Sequence, residues 1–277
     1  MAVTPAEARA VSASGDRTLK VWDLNTGRTL RTLEGHTDRV KGVSMTADGK
    51  RAVSASEDKT LKVWNVETGG AVRTLEGHST SVSSVAVNRD GKRAVSASYE
   101  ILKVWELETG RELRTLEGHL GWVNGVAITA DDKRAVTASA DLTLKVWDLD
   151  NGRVLRTLEG HFGPVSGVAV TSDGKRAVSA SHDKTLMVWD LDTGSALCTL
   201  QGHSGSVLGV AVTPDGRRAV SASRDRTLKV WDLDSGLLLA TFHCDGPARC
   251  CAFAHERRIV AGDEGGRVYF LSLEELH

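Results

Sequence analysis

The sequence predicts an all-β fold in which one four-stranded antiparallel unit is repeated and the copies close into a ring. Three observations carry that expectation. Trp22, Trp64, Trp105, Trp147, Trp189 and Trp231 fall at intervals of 42, 41, 42, 42 and 42 residues, and a fixed period near forty residues marks one supersecondary unit repeated. Each tryptophan closes the same segment, Lys-Val-Trp or Met-Val-Trp followed by Asp, Asn or Glu. Between them, short runs of small and β-branched residues are separated by Asp-Gly and similar turn signals, the pattern of strands joined by tight turns.

Residues 161–202 show the unit most plainly. Pro164–Thr171 is almost continuously small and apolar, as in a strand buried on both faces. An Asp173-Gly174 turn leads to a second strand of small residues, Arg176–Ser181. Thr185–Leu191 is the third strand, β-branched and aromatic, and after Asp192-Thr193-Gly194 the more polar Ser195–Leu200 is an outer fourth. Such a sheet has two faces to bury and is not stable alone. Stacking copies around an axis covers both faces and leaves only short, protected edges.

Bulk properties narrow the function classes. The 277 residues suit one large all-β domain, and a net charge of −1 gives no global attraction to nucleic acid or an anionic membrane. No apolar stretch approaches the roughly 20 residues needed to span a bilayer, and the N-terminus lacks the basic and apolar segments of a secretory signal. Cys198, Cys244, Cys250 and Cys251 lack metal-site spacing and read as core thiols of a reducing, cytoplasmic compartment. His182, His243 and His255 carry no ligand pattern, and no phosphate-binding loop is present. No metal or cofactor is implied.

Gly-His opens the repeat at Gly35-His36, Gly77-His78, Gly118-His119, Gly160-His161 and Gly202-His203, and Trp-Asp or a near variant closes its third strand. With these motifs in register, the chain resembles the WD-repeat (Trp-Asp repeat) β-propellers over essentially its whole length. The resemblance implies a seven-bladed β-propeller of four-stranded antiparallel blades. The blades would span about 1–35, 36–77, 78–118, 119–160, 161–202, 203–242 and 243–277. The last has only three recognisable strands, 248–254, 257–262 and 267–273, with Tyr269 near the tryptophan position. Met1–Ser14 aligns without a gap on Val210–Ser223, so the chain begins inside an inner strand. A piece of a longer protein is the expectation, with an open edge at the last blade as the alternative, where a second copy could pair.

Ser, His and Asp recur together, which suggests a nucleophilic triad. The sets are His36, Ser54, Asp58 and Trp64; His119, Thr137, Asp141 and Trp147; His161, Ser179, Asp183 and Trp189; and His203, Ser221, Asp225 and Trp231. An enzyme needs one such site, whereas four with identical spacing read as framework. The family resemblance implies that each is a structural tetrad hydrogen-bonded in series. The first blade has no His within the chain, the third has Glu100 for Asp and one turn residue fewer, and the seventh has no recognisable tetrad.

Function is sought where the copies differ. The third and fifth residues past each His are Arg39 and Lys41, Ser81 and Ser83, Trp122 and Asn124, Pro164 and Ser166, Ser206 and Leu208. A second divergent pair flanks the tetrad acid: Gly15 and Arg17, Glu57 and Lys59, Tyr99 and Ile101, Ala140 and Leu142, His182 and Lys184, Arg224 and Arg226. The resemblance places these at the mouth of the central channel, where relatives contact partners. The candidate partner-binding set is Trp122, Tyr99, Arg39, Lys41, Asn124, Leu142, His182, Leu208, Arg224 and Arg226. Its mixture of aromatics and cations points to a protein or peptide, acidic or phosphorylated.

A non-catalytic scaffold is therefore expected. The near-identical blades and divergent last blade also resemble propellers of bacterial multidomain signalling proteins built on STAND-type NTPases or protein kinases, which implies a sensor or interaction domain. The alternatives are an architectural array with no dedicated ligand, and nucleic-acid binding through the basic mouth.

Overall fold

The computed structural model describes residues 1–4, 8–254 and 257–273; His255 and the residues past Leu273 lie outside these. Among the described residues, 27 strands form seven antiparallel sheets, six of four strands and one of three, each built from consecutive strands. Innermost strands of successive sheets adjoin all the way round, and Ala2–Thr4 meets Ala248–Phe253 to close a seven-bladed propeller. The fifth blade comprises Val165–Val170, Arg176–Ser181, Leu186–Asp190 and Ala196–Leu200, every boundary within one residue of the sequence expectation. The seventh holds Ala248–Phe253, Arg258–Asp263 and Val268–Ser272, with no fourth strand among the described residues.

Each blade's tryptophan packs into the blade before it. Trp147 lies against Val95, Ala97 and Leu102 of the third blade, and Trp105 against Val53, Ala55 and Leu61 of the second. Trp64, Trp189 and Trp231 repeat the arrangement. Removing roughly 200 Å² of indole from water at about 25 cal/mol per Å² is worth about 5 kcal/mol per blade. The small residues of the second strands (Arg-Ala-Val-Ser-Ala-Ser) leave room for that ring, and from the second to the sixth blade every one after the Arg is buried.

Arginines tie neighbours together on the lower face. Arg134 donates to the Gly174 carbonyl and pairs with Asp192, both at 2.9 Å, and Arg176 does the same with Gly216 and Asp234. On the outer rim Arg73 and Arg114 donate to the carbonyls of Glu108 (2.8 Å) and Asp150 (2.7 Å). The ring closes on side chains: Trp22 meets Phe270 edge-on at 6.3 Å, and Arg258 donates to Asn25 at 3.1 Å. By register with Ile259, Leu271 occupies the tryptophan position of the seventh blade and Tyr269 lies two residues before it.

Inner strands approach most closely at glycines. A Cβ on Gly125 would stand 3.1 Å from the Cα of Gly167 and 3.3 Å from the Val168 nitrogen, main-chain atoms that have no rotamer to move away. Gly125→Ala is therefore expected to lower stability by about 1–3 kcal/mol, seen as a lower urea midpoint with an unchanged denaturant slope.

Candidate partner-binding face

The upper face carries two kinds of connection: the loop that follows each Gly-His and the turn between second and third strands. Both are held by the tetrads. His36 meets Asp58 through Nδ1 and Ser54 through Nε2, each at 2.6 Å, and the Trp64 indole donates to Ser54 at 2.8 Å. The blades of His119, His161 and His203 show 2.7 Å for both histidine contacts and 2.8–2.9 Å for the indole. The carboxylate only accepts, so Nδ1–H donates to it; in the neutral ring Nε2 is then the acceptor, and the hydroxyl that accepts the indole N–H donates to Nε2. Ser54, Thr137, Ser179 and Ser221 are 0% exposed. A nucleophile there would have no route to a substrate.

Burial outweighs the neighbouring carboxylate and holds His36, His119, His161 and His203 below the ordinary histidine value. Burial by itself would raise the aspartates, yet hydrogen bonds from the following Thr and the His bring them down, to about 2 for Asp141 and Asp225. The same carboxylates accept the first N–H of the upper loop, from Thr37, Leu120, Phe162 and Ser204, at 2.9–3.0 Å. The loop is then clipped down, since the turn N–H of Glu57, Ala140, His182, Arg224 and Glu264 reaches the carbonyl of Arg39, Trp122, Pro164, Ser206 and Pro247 at 2.8–2.9 Å.

The third blade breaks this pattern. His78 keeps Ser96 at 2.7 Å and the Trp105 indole reaches Ser96 at 2.8 Å, but among the described residues Glu100 makes no hydrogen bond or ion pair. Burial and the Lys103 cation, opposed only by the Glu112 carboxylate and by no hydrogen-bonded Asp, bring His78 down to about 4. One residue fewer makes the turn a tight Tyr99-Glu100 pair between the partnered Ser98 and Ile101. Ile101 is thereby the first residue of the third strand, half-buried, and not a mouth residue as expected. No bond links the Tyr99 N–H to the Ser81 carbonyl. Thr80 bonds to Ser98 instead, at 2.7 Å. The loop and turn stand apart, and a pocket of about 320 Å³ opens between Thr80, Ser81, Tyr99 and Trp122. The two rings meet edge-on, 5.6 Å apart at 77°.

The other candidates divide. Tyr99, Trp122, Leu142, Arg39, Lys41, His182, Arg224 and Arg226 are exposed on this face. Partial burial and the Arg224 cation lower His182. Lys41 pairs with Glu57 at 3.2 Å. Asn124 turns sideways and donates to the Val165 carbonyl at 2.9 Å, as Ser83 does to Val123 at 2.6 Å, so both bridge adjacent blades. Leu208 is half-buried. Two residues escaped the sequence reading: Leu120 and Phe162, 87% and 95% exposed. They directly succeed His119 and His161, where the other copies have Thr37, Ser79 and Ser204, and that contrast was the available signal. The seventh blade also has an unforeseen lock, in which Tyr269 donates to Asp263 at 2.8 Å and accepts the Asp245 N–H at 3.0 Å. Among the described residues no group of His, Cys, Asp and Glu could hold a metal ion, and no helix is long and apolar enough to cross a membrane.

Comparison with known proteins adds the relationship. The model of the WD domain, G-beta repeat, matches residues 1–23, 27–65, 69–106, 110–148 and 152–190, more than half of the chain. The model of the TEP-1 C-terminal beta-propeller matches 203–273. The nuclear distribution protein PAC1 of Arthroderma otae is 55% identical over 40 residues, 14% of this chain and 9% of that protein. The Lissencephaly-1 homolog of Caenorhabditis briggsae is 51% identical over 39 residues, 14% of this chain and 10% of that protein. The shared stretch is one repeat long and about a tenth of each relative. These relatives are eukaryotic, and they lend no support to a bacterial setting.

His161→Ala removes a hydrogen-bond partner from both Asp183 and Ser179 and is expected to cost about 3 kcal/mol, whereas His78→Ala, which removes one only from Ser96, is expected to cost about 1–2 kcal/mol; urea denaturation of the two variants measures the difference. Depressed histidine and aspartate values fix the direction of the pH response. The unfolded chain takes up protons first, so stability is full above the ordinary histidine value of 6.5 and falls below it, for His78 down to about 4. Asp141 and Asp225 lose their contribution between 3.8 and about 2. Thermal midpoints should decline steadily as pH is lowered from 7, with no recovery on the acid side.

Proposed function

The chain belongs to the WD-repeat family, whose propellers are non-enzymatic scaffolds for protein interaction, and from that premise we propose that it holds a protein or peptide on its upper face. The observation that carries this is the Tyr99–Trp122 corner. Two large aromatic rings stand 45% and 57% exposed over an open pocket, at a blade whose loop is not clipped to its turn. Exposed aromatics of this kind anchor interfaces. Leu120, Leu142 and Phe162 extend the apolar surface over the fourth and fifth blades, and clustered exposed apolar residues mark interaction sites. The resemblance to propellers of STAND-type NTPases and protein kinases supports a further reading, that the propeller is the sensor or interaction domain of a larger signalling protein.

A random peptide library selected against the intact protein tests the binding reading. Selected peptides should bind at least about thirtyfold more weakly to Trp122→Ala, the scale of a loss near 2 kcal/mol at an interface anchor, while circular dichroism and the thermal midpoint stay unchanged. Equal affinity of both proteins for every selected peptide would remove the site.

A further inference from the structure

Left-handed backbone is a conformation for glycine, because a Cβ crowds the main chain there. Of the described residues 16 glycines adopt it, including those of nearly all the lower-face turns. Eight other residues do so, and five of them stand at equivalent places, directly after the Asp of the upper turn, in the first, second, fourth, fifth and sixth blades. They are Arg17 (φ 74°), Lys59 (72°), Leu142 (72°), Lys184 (73°) and Arg226 (64°), and in the shortened turn of the third blade Tyr99 (53°), which precedes Glu100, adopts the same backbone. In the seventh blade the turn carries Gly266 at φ 84°. Strain retained at one recurrent place, and always under a large side chain, is a sign of function.

Chemistry is sorted around the ring. The fifth, sixth, first and second blades place cations at this position and the fourth places Leu142, while the shortened turn of the third blade presents Tyr99. Arg39 and Arg224 add to the cationic arc. None of Arg17, Arg39, Lys59, Lys184, Arg224 and Arg226 is ion-paired among the described residues. The whole chain carries −1, so this positive charge is local.

We propose that the upper-face ligand is an acidic segment of polypeptide. One large apolar side chain enters the Tyr99–Trp122 pocket, and anionic groups on either side of it meet Arg39 and Lys59 of the adjoining blade and Lys184, Arg224 and Arg226 across the mouth. This rests on the reading of the upper face as a polypeptide site. A nucleic acid fits the apolar part less well: Leu120 and Leu142 are not stacking platforms, and rings crossed at 77° form a corner and not two parallel faces for bases. Carboxylate and phosphate share the anionic chemistry, and the experiment separates them.

Fluorescence polarisation with short labelled probes tests the proposal. The probes are an Asp/Glu peptide with a central Leu, the same peptide with a central Gly, one with Lys flanks, one with phosphoserine flanks, and single-stranded oligo-dT. The proteins are the intact chain, Trp122→Ala, and the fourfold variant Arg17→Gly, Lys59→Gly, Lys184→Gly, Arg226→Gly. The acidic Leu peptide should bind about tenfold or more tightly than its Gly and Lys counterparts; the phosphoserine probe ranks the two anions. The fourfold variant should lose about tenfold in affinity while its thermal midpoint rises, because glycine relieves the turn. A merely structural role for these side chains would not move binding. Unchanged affinity in the fourfold variant, with loss in Trp122→Ala, overturns the acidic ligand and keeps the polypeptide site. Oligo-dT binding as tight as the peptide overturns the polypeptide. Selected peptides indifferent to Trp122→Ala would sink the underlying reading itself.

Discussion

In six blades an indole N–H reaches a Ser or Thr hydroxyl of the second strand at 2.8–2.9 Å, and the rest of the structure hangs on that contact. A four-stranded sheet in this ring has no outer surface of its own to hide behind; both faces must be covered by neighbours. From the second to the sixth blade the tryptophan serves both demands, since its ring fills the preceding blade and its nitrogen fixes the polar chain of its own blade. A buried hydroxyl without that donor, or a histidine without that hydroxyl, would be an unsatisfied polar group in a dry interior. The tetrad is thus the means by which a stack of apolar sheets carries ordered loops on one face.

Among the described residues the chain of bonds is incomplete in the first, third and seventh blades, and in the last two the consequences are opposite. In the seventh, Tyr269, Asp263 and the Asp245 N–H rebuild a lock from different residues, and the upper loop stays down. In the third, Glu100 and a shortened turn leave His78 without its bonded carboxylate, and among the described residues no other group bonds to its Nδ1. The loop separates from the turn there, and the separation is the pocket. The concave feature of the upper face is thus a consequence of a missing framework bond, with Tyr99 and Trp122 supplying its walls.

That relation explains why the upper face is uneven in a molecule of near-identical parts. In the fourth, fifth and sixth blades, whose tetrads are intact, loops pack so closely that Gly121, Gly163 and Gly205 have no room for a Cβ, which would meet a turn nitrogen at 2.8–2.9 Å. Side chains there can vary only outward, as Leu120, Phe162 and the left-handed turn residues do. Where the tetrad fails, depth becomes available. A partner therefore meets a surface of outward cations and apolar residues that includes the Tyr99–Trp122 recess.

By itself the sequence determined the architecture. A tryptophan every 41 or 42 residues fixed the repeat, Asp-Gly turns and small-residue strands fixed the sheet, and seven third strands fixed the blade number. These features are local and periodic, so reading one copy reads them all. It also separated shared residues from divergent ones, which was enough to single out Tyr99 and Trp122. What it did not contain is the relation between neighbouring copies. Asn124 and Trp122 are two residues apart, yet one reaches the next blade's inner strand and the other stands over a pocket. Glu100 reads as a conservative replacement, yet the shortened turn leaves its carboxylate unbonded to His78. Only the tertiary structure decided these, because they depend on how far a loop of one blade lies from a turn or strand brought beside it by the closure of the ring.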